Sequence, residues 1–225
     1  MMKVWRNFSA AMVLAGVSTV ALADKVVTYA IDPGHSQVHF SWNHVGFSTP
    51  GAVFTHVTGS IEGNHDNPDK SSVTVTMPVK SLDSHVPLLN EHLIESGDYF
   101  KTKQHPDVTF RSKALRDANR EAGTFKLVGD LTVNGITKEV VLDAKLNKAG
   151  PHPMYNNAEA VGFNATTTVK RSEFGLGKHV PMVSDELEVR ITVEAVEAGA
   201  YQAAMEKMKR EAGKAKAQKA KTPRK

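Results

Sequence analysis

The sequence predicts a mainly all-β fold, an eight-stranded antiparallel barrel capped by one or two short helices. Three observations lead to this fold class. Apolar and polar residues alternate along eight segments. Turn signals separate these segments. No predicted helix between them is long enough to cover an open sheet, so closure is the simplest way to bury the apolar face and remove the sheet edges.

The predicted strands follow one another with a period of two. In the first, Val38, Phe40 and Trp42 share one face, and in the last, Glu and Arg side chains alternate with apolar ones. One apolar and one charged face suit an antiparallel sheet with one wet side, whereas an outer-membrane barrel would turn its apolar face outward. The eight segments are 37–44, 57–61, 73–77, 108–114, 125–133, 140–146, 161–169 and 187–193.

Two glycine-containing steps mark turns between these strands. Asn134-Gly135 lies between the fifth and sixth strands and is a strong hairpin signal. Gly175-Leu176-Gly177 follows the seventh strand, but no further glycine opens a helix after it. We therefore interpret the second step as a turn and not as a dinucleotide-binding loop.

The stretch HLIESGDYFKTKQHPDVTF interrupts the run of strands between the third and the fourth. Leu89, Leu93, Ser96 and Phe100 fall near one side of a short helix within residues 88–99. Pro106 prevents a return to helix before the next strand. The pattern predicts a helix that plugs or gates one end of the barrel, with Leu93 and Phe100 facing the interior.

The two ends of the chain differ from the barrel segment. Residues 1–23 combine a basic start, a short apolar core and an Ala-Leu-Ala end, which predicts a secretory signal cleaved after Ala23. Residues 24–198 hold the barrel, and residues 199–225 form a basic Ala/Lys-rich tail with helical spacing. An exported protein without cysteine has no disulfide framework, so a packed core must stabilise it.

The net charge of the chain is +4, and its excess of basic residues lies at the two ends of the chain. The signal holds two basic residues, and the segment 201–225 holds nine against two glutamates, which leaves the domain between them at −5. This balance argues against a nucleic-acid-binding domain. The tail is expected to be solvated. The alternative is that it is attracted transiently to an anionic membrane surface.

Neither a catalytic nor a metal-binding motif is found. The sequence lacks a G-x-S-x-G elbow, and Asp185 and Glu186 point to opposite faces of a strand. A structural role for Asp185 at the barrel end is therefore favoured over catalysis. Among the ten histidines, the spacings of His85, His92 and His105 match no ligand pattern on one element. We predict no enzyme activity, no catalytic residue, no metal site and no cofactor.

Four stretches together resemble the YceI-like family. They are YAIDPGHSQVHFSWNHVGFSTPGAVF, HLIESGDYFKTKQHPDVTF, GDLTVNGITKEVVL and ATTTVKRSEFGLGKHVPMVSDELEVRITVEA, in the family's order. The resemblance covers about residues 28–197. It implies an exported lipocalin-like barrel whose elongated apolar pore holds a long isoprenoid-type lipid, and it carries no catalytic constellation.

Bulky inward residues are the candidate ligand contacts, although each is equally an ordinary core residue. Lys170 and Arg171 are candidates for a head-group contact, because a pyrophosphate needs a cation at the pore mouth; ordinary surface charge fits them equally well. The lining candidates are Phe40, Trp42, Val75, Met77, Leu93, Phe100, Phe110, Phe125, Leu127, Leu131, Leu142, Phe163, Leu187, Val189 and Ile191.

These features predict a periplasmic or secreted binding protein or carrier, a monomer or homodimer. Its ligand would be a polyisoprenoid, a quinone-like molecule or a similar long-chain lipid. The alternative is a barrel with a closed core that acts in protein interaction at a membrane surface through its basic tail. The volume of the interior distinguishes the two roles. A carrier requires an open interior, whereas the interaction role is compatible with a filled one.

Overall fold

The computed structural model describes residues 25–221, with side chains to residue 216, so the predicted signal segment lies outside the described residues. The strands form one sheet that closes where the first strand pairs with the last. They are β1 (Val26–Ile31), β2 (Gln37–Ser41), β3 (Gly51–Phe54), β4 (Thr58–Asn64), β5 (Ser72–Pro78), β6 (Leu82–Asp83), β7 (Asp107–Asn119), β8 (Thr124–Val133), β9 (Ile136–His152), β10 (Ala158–Lys170) and β11 (Glu186–Glu197). Two α-helices complete the described fold, α1 (Pro87–Ile94) and α2 (Ala198–Lys221).

These eleven segments make an eight-stranded barrel because three of its strands are interrupted. β1 and β2 both pair antiparallel with β11, Ile31 opposite Ala195 and Gln37 opposite Thr192. In the same way β4 and β3 pair with β1 and β2, and β5 and β6 pair with β4 and β3. The predicted all-β barrel with eight strands is confirmed. β1, β3 and β6 each form one part of an interrupted strand, and the sequence pattern did not predict these three segments.

The break between β1 and β2 is a five-residue bulge, Asp32 to Ser36, held against one residue of β11. The Asp32 N–H donates to the Glu194 carbonyl at 2.9 Å. The Ser36 hydroxyl donates to the same carbonyl at 3.2 Å and accepts from the Glu194 N–H at 3.1 Å. The bulge thus takes over the hydrogen bonds that a continuous strand would make at this position.

A second irregularity corrects the predicted inward face of β7. Val108 and Phe110 face the interior as predicted, but the pairing register with β8 shifts between Ser112 and Ala114. Beyond this bulge Leu115, and not Ala114, faces the interior. The alternation in the sequence predicts that Val108, Phe110, Ser112 and Ala114 share the inward face. For Ala114 this prediction is wrong, because one extra residue reverses the alternation.

The β8–β9 hairpin confirms the predicted turn. Val133 pairs with Ile136, so Asn134 and Gly135 form a two-residue loop with φ values of 53° and 76°. Positive φ at both positions defines the turn type that matches the twist of the strands, and Asn-Gly is its preferred sequence.

The helices and loops divide between the two ends of the barrel. α1, the β2–β3 connection, the β8–β9 turn and the β10–β11 connection lie at one end, here called the α1 end. The β4–β5, β7–β8 and β9–β10 connections and the start of α2 lie at the other, the α2 end. Within residues 25–221, no helix combines the length and apolar character needed to cross a membrane.

Candidate ligand-binding cavity

The barrel encloses a cavity of about 910 Å³ that extends from one end to the other. At the α1 end its wall includes Leu93 and Leu176, and at the α2 end it includes Asn119 and Arg120. The inward side chains of the barrel strands form most of the wall between these ends. The periodicity of the strands could not distinguish a filled core from a lined cavity; the structure shows a cavity.

All fifteen predicted contact residues lie in the cavity wall. Their side chains divide into two clusters, one around Phe40, Met77 and Phe100 and the other around Phe110 and Leu142. Trp42 stacks on Phe40 with ring centres 5.9 Å apart. It is also the only tryptophan after the predicted signal. The location of these residues is therefore shown, and their contact with a ligand stays a prediction.

α1 closes part of the α1 end, although it is shorter than predicted. The predicted helix ran over residues 88–99, but α1 ends at Ile94, and Gly97 beyond it adopts a left-handed φ of 74°. Leu93 and Phe100 are both buried and line the cavity. The Phe100 ring meets Phe54 edge-on with centres 6.2 Å apart. This segment therefore packs into the barrel end and covers it.

One asparagine holds this cap to the barrel. The buried Asn134 side chain accepts from the Lys101 N–H at 2.9 Å and donates to the Tyr99 carbonyl at 2.9 Å. It also donates to the Phe174 carbonyl at 3.2 Å in the β10–β11 connection. The turn that the sequence predicted thus also links the segment after α1 to a third loop, a role that no local pattern indicates.

Polar side chains line the cavity wall at both ends of the barrel. His44, Ser48 and His179 lie at the α1 end, and a further group lies at the α2 end. His65 and Asp69 come from the β4–β5 connection, and Asn119 and Arg120 come from the β7–β8 turn. The His65 ring lies 3.0 Å from the Tyr29 hydroxyl. Arg120 is exposed and makes no hydrogen bond or ion pair with another residue in the described part of the chain. The α2 end of the cavity therefore offers a guanidinium without a partner among the described residues.

Lys170 and Arg171, the two residues predicted to contact a head group, lie at the α1 end. Lys170 is exposed and is not part of the cavity wall. Arg171 is buried, and its guanidinium donates to four backbone carbonyls of the β10–β11 connection, those of Leu176, Lys178, Val183 and Ser184. Four of its five N–H donors are thus occupied. Arg171 lines the cavity, but its guanidinium holds the carbonyls of this loop together, and its contact with a head group stays a prediction.

Asp185 has the structural role that the sequence favoured. Its carboxylate accepts from the Ser172 N–H at 2.8 Å and from the Ser172 hydroxyl at 2.7 Å. Burial raises the pKa of Asp185, but these hydrogen bonds outweigh it and hold the pKa below its ordinary value. The carboxylate caps the short turn that begins at Arg171.

Outside the cavity, the bulge between β1 and β2 creates a cluster that the sequence analysis missed. His35 Nδ1 lies 2.8 Å from the buried Asp32 carboxylate and 3.8 Å from that of Glu194, and His152 lies 3.1 Å from Glu194. Asp32 also accepts from the Tyr155 hydroxyl at 2.8 Å. His35 lies 3 positions from Asp32 in sequence and far from Glu194, so spacing gave no signal for the proximity of all three.

Hydrogen bonding shifts the pKa of both partners in this cluster. Burial raises the pKa of Asp32, but hydrogen bonds from His35, Gly34 and Tyr155 outweigh it and lower the pKa overall. The hydrogen bond to Asp32 raises the pKa of His35. The arrangement favours an ion pair that fixes the bulge. Asp32, His35 and Glu194 are also close enough to share a cation, and the absence of a metal stays a prediction.

Closed barrels with a continuous apolar interior form the class of lipocalin-like binding proteins. Residues 29–195 match the model of the YceI-like domain, so the chain belongs to the YceI-like family. A UPF0312 protein of Ectopseudomonas mendocina (strain ymp) is 32% identical over 193 residues, 85% of this chain and 98% of the relative. Protein YceI of Escherichia coli O157:H7 is 30% identical over 193 residues, 85% and 95% of the two chains.

Two solved structures share the fold. A Campylobacter jejuni YCEI protein superposes with a TM-score of 0.61 at 23% identity, over 84% of this chain and 99% of that one. A domain from Saccharophagus degradans, described as polyisoprenoid binding, superposes with a TM-score of 0.57 at 10% identity, over 76% and 99%. At these identities the likeness establishes the barrel and leaves the ligand to be argued from the cavity.

Proposed function

We propose that this protein is an exported carrier for a polyisoprenoid, a quinone-like molecule or another long-chain apolar lipid, which it holds inside the barrel. The observation that carries the proposal is the continuous apolar cavity between the two ends of the barrel. Membership of the YceI-like family and the fold shared with a polyisoprenoid-binding domain support the same class of ligand.

The cavity volume suits a chain of considerable length. At about 30 Å³ per non-hydrogen group, close to the share of one water molecule in the liquid, 910 Å³ accommodates about 30 carbons. That corresponds to roughly six five-carbon isoprene units on the same volume estimate. A longer polyprenyl chain would bend or protrude from one end.

Transfer between membrane and barrel is energetically reasonable. Removing 30 methylene-sized groups from water at ~0.8 kcal/mol each gives about 24 kcal/mol. That figure exceeds the practical affinity ceiling of roughly 18–21 kcal/mol, so water is the wrong reference state for such a lipid. The relevant exchange is between the bilayer interior and the barrel interior. Both are apolar, which permits loading as well as release.

The alternative role, a barrel that acts in protein interaction through its tail, has one supporting observation. α2 extends the basic tail as a helix of 24 residues, and its side chains from beyond its first turns to residue 216 are largely exposed. Transient attraction of this helix to anionic lipid headgroups is compatible with a carrier role. The open interior favours the carrier over a barrel with a closed core.

The proposed carrier works in the periplasm or outside the cell, as a monomer or homodimer, and binds without catalysis. The signal-like residues 1–23 support export. In the cavity, the bulky side chains would contact the chain of the lipid, and a cation at one mouth would contact a charged head group when the ligand has one.

Trp42 provides the test of this function. Delipidated protein is mixed with a membrane extract and separated again, while tryptophan fluorescence is recorded. We expect a spectral shift together with an extractable long-chain lipid, because Trp42 lies in the cavity wall. Trp42→Phe protein that begins after the predicted signal, and so contains no tryptophan, is the matched control for the fluorescence. Unchanged fluorescence with no recovered lipid would overturn the proposal.

A further inference from the structure

Exposed apolar side chains gather at the α1 end of the barrel. Seven of the eleven large hydrophobic residues that are exposed within the described chain lie in its loops or at the start of its elements. We name this set the apolar rim. It consists of Val45, Phe47, Val86, Leu88, Ile136, Val180 and Met182.

Two adjoining loops supply the most prominent part of the apolar rim. Phe47 is 91% exposed in the β2–β3 connection, and Met182 is 65% exposed in the β10–β11 connection. A bridge between His44 and Val183 holds the two loops together. Val45, a β-branched residue, adopts a left-handed φ of 58° beside Phe47, a conformation that costs free energy and is rare for this residue type.

The apolar rim is continuous with the cavity. His44 and Ser48 flank Phe47 and line the cavity, and His179 and Val183 flank Met182 and line it too. The tips of the two loops, residues 42–50 and 175–183, contain no aspartate or glutamate. Glu173 and Asp185 lie at the base of the second loop, and Lys178 pairs with Asp98 of the segment after α1. The loops therefore present apolar tips without carboxylates where the interior meets the surface.

We infer that the apolar rim inserts into the surface of a lipid bilayer and places the cavity mouth against the hydrocarbon. This inference rests on the proposed function and adds where the ligand enters and leaves. Contiguous exposed apolar surface marks either a membrane or a protein partner. The membrane is favoured because the side chains protrude from loop tips, and because a water-insoluble ligand needs an apolar path from bilayer to barrel.

The inference differs from attraction of the basic tail to the membrane. α2 begins at the opposite end of the barrel, and its contribution would be electrostatic. Tail binding requires anionic lipid and disappears at high salt. Insertion of the apolar rim requires neither, so vesicles of phosphatidylcholine alone distinguish the two contacts.

The test is flotation of the mature chain with pure phosphatidylcholine vesicles, at low salt and at 1 M salt, where the Debye length is about 3 Å. Wild type is expected to bind at both salt concentrations. Phe47→Ser combined with Met182→Ser should lower the vesicle partition by about tenfold or more. The matched control is Met154→Ser, which removes a 77% exposed methionine at the α2 end and should leave partition unchanged.

Two results overturn the apolar rim as a membrane contact. One is absence of wild-type binding to phosphatidylcholine, which leaves the rim to a protein partner or the membrane to the tail. The other is equal binding of the double variant and wild type. Loading from detergent micelles without vesicles separates this inference from the proposed function: the double variant should load its cavity normally there. Failure of wild type to load from micelles would refute the carrier role itself.

Discussion

The side chain of Asn134 joins the β8–β9 turn to Tyr99 through a 2.9 Å hydrogen bond from its Nδ2 to the Tyr99 carbonyl. The side-chain oxygen of Asn134 accepts from the N–H of Lys101, on the other side of Phe100. Asn134 therefore holds both flanks of the buried Phe100. A two-residue turn thereby fixes the segment that covers one end of the cavity.

Asn134→Gly tests this link. Glycine keeps the left-handed turn conformation but removes three hydrogen bonds, so we expect a loss of unfolding free energy of about 1–3 kcal/mol. Release of a preloaded lipid should become faster because Phe100 loses its anchor. Denaturant unfolding measures the loss of stability, and the rate at which the preloaded lipid is released measures the effect on the cap. Asn157→Gly, at another residue with positive φ, is the control. Unchanged release despite lower stability would show that the cap does not limit exit.

Cavity volume should determine the chain length of the ligand. Ala165 is an inward residue of β10, and its replacement by phenylalanine adds about six non-hydrogen atoms, roughly 180 Å³ at 30 Å³ each. We expect bound chains to become shorter, or binding to fall, at nearly unchanged stability. Mass spectrometry of the extracted lipid gives the chain length. Thr166→Phe places the same ring on the exposed outer face and should leave the ligand unchanged; identical lipids in all three proteins would contradict binding inside the barrel.

Arg120 at the α2 end of the cavity predicts where a charged head group lies. Arg120→Gln should weaken binding of a phosphorylated prenol by about tenfold, the range of one charge-assisted hydrogen bond. Binding of a quinone should not change. Lys170→Gln should affect neither ligand, since Lys170 lies outside the wall.

Arg171→Gln provides the contrasting outcome in that series. It removes a guanidinium with four carbonyl partners, so the variant should lose stability, and both ligand classes should be affected alike. Ligand competition assays together with thermal unfolding measure these changes. Selective loss of the phosphorylated ligand in Arg171→Gln at unchanged stability would restore the head-group role that the sequence suggested for this residue.

The ion pair of Asp32 and His35 predicts a pH dependence of stability. The pKa of His35 is raised above 6.5, so its contribution is complete below that pH and disappears as pH rises through the folded pKa. The pKa of Asp32 is lowered below 3.8, so its contribution is complete above that pH and disappears as pH falls through the folded pKa.

His35→Gln should flatten the alkaline side of this stability profile. His35 is half exposed and faces Glu194 as well as Asp32, so the effect is small, roughly 0.2–1 kcal/mol as for other exposed pairs. Urea unfolding at pH values between 5 and 9, a range chosen to include the ordinary histidine pKa, measures it. His56→Gln is the control, because His56 is exposed and has no ion-pair partner among the described residues. A wild-type profile that does not fall above pH 7 would contradict the assignment.

Sequence periodicity predicted the barrel because it reports which side chains face inward. It located strands such as β8 and β11 over most of their length. The residues that it predicted to face inward line the cavity, as do Leu93 and Phe100, which were predicted from helical spacing. It failed where the backbone departs from regular pleating. The bulge at Ser112 adds one residue without any change in composition, and the Asp32–Ser36 bulge separates β1 from its continuation.

Relationships between distant residues were beyond the reach of sequence patterns. Lys170 and Arg171 are adjacent cations that the sequence does not distinguish as head-group contacts. In the structure only Arg171 is buried among carbonyls. Arg120, in a turn without any motif, lies at the cavity end because β7 and β8 project there. Such placements depend on packing between elements, which local alternation does not encode.

The central claim is that the barrel holds one long apolar molecule in its interior. Native mass spectrometry of the protein isolated from the periplasm of its own cells tests it most directly. We expect a mass above that of the mature chain by one lipid, lost on collisional activation, with most molecules occupied. Protein at the bare chain mass, which stays bare after incubation with its membrane extract, would contradict the account.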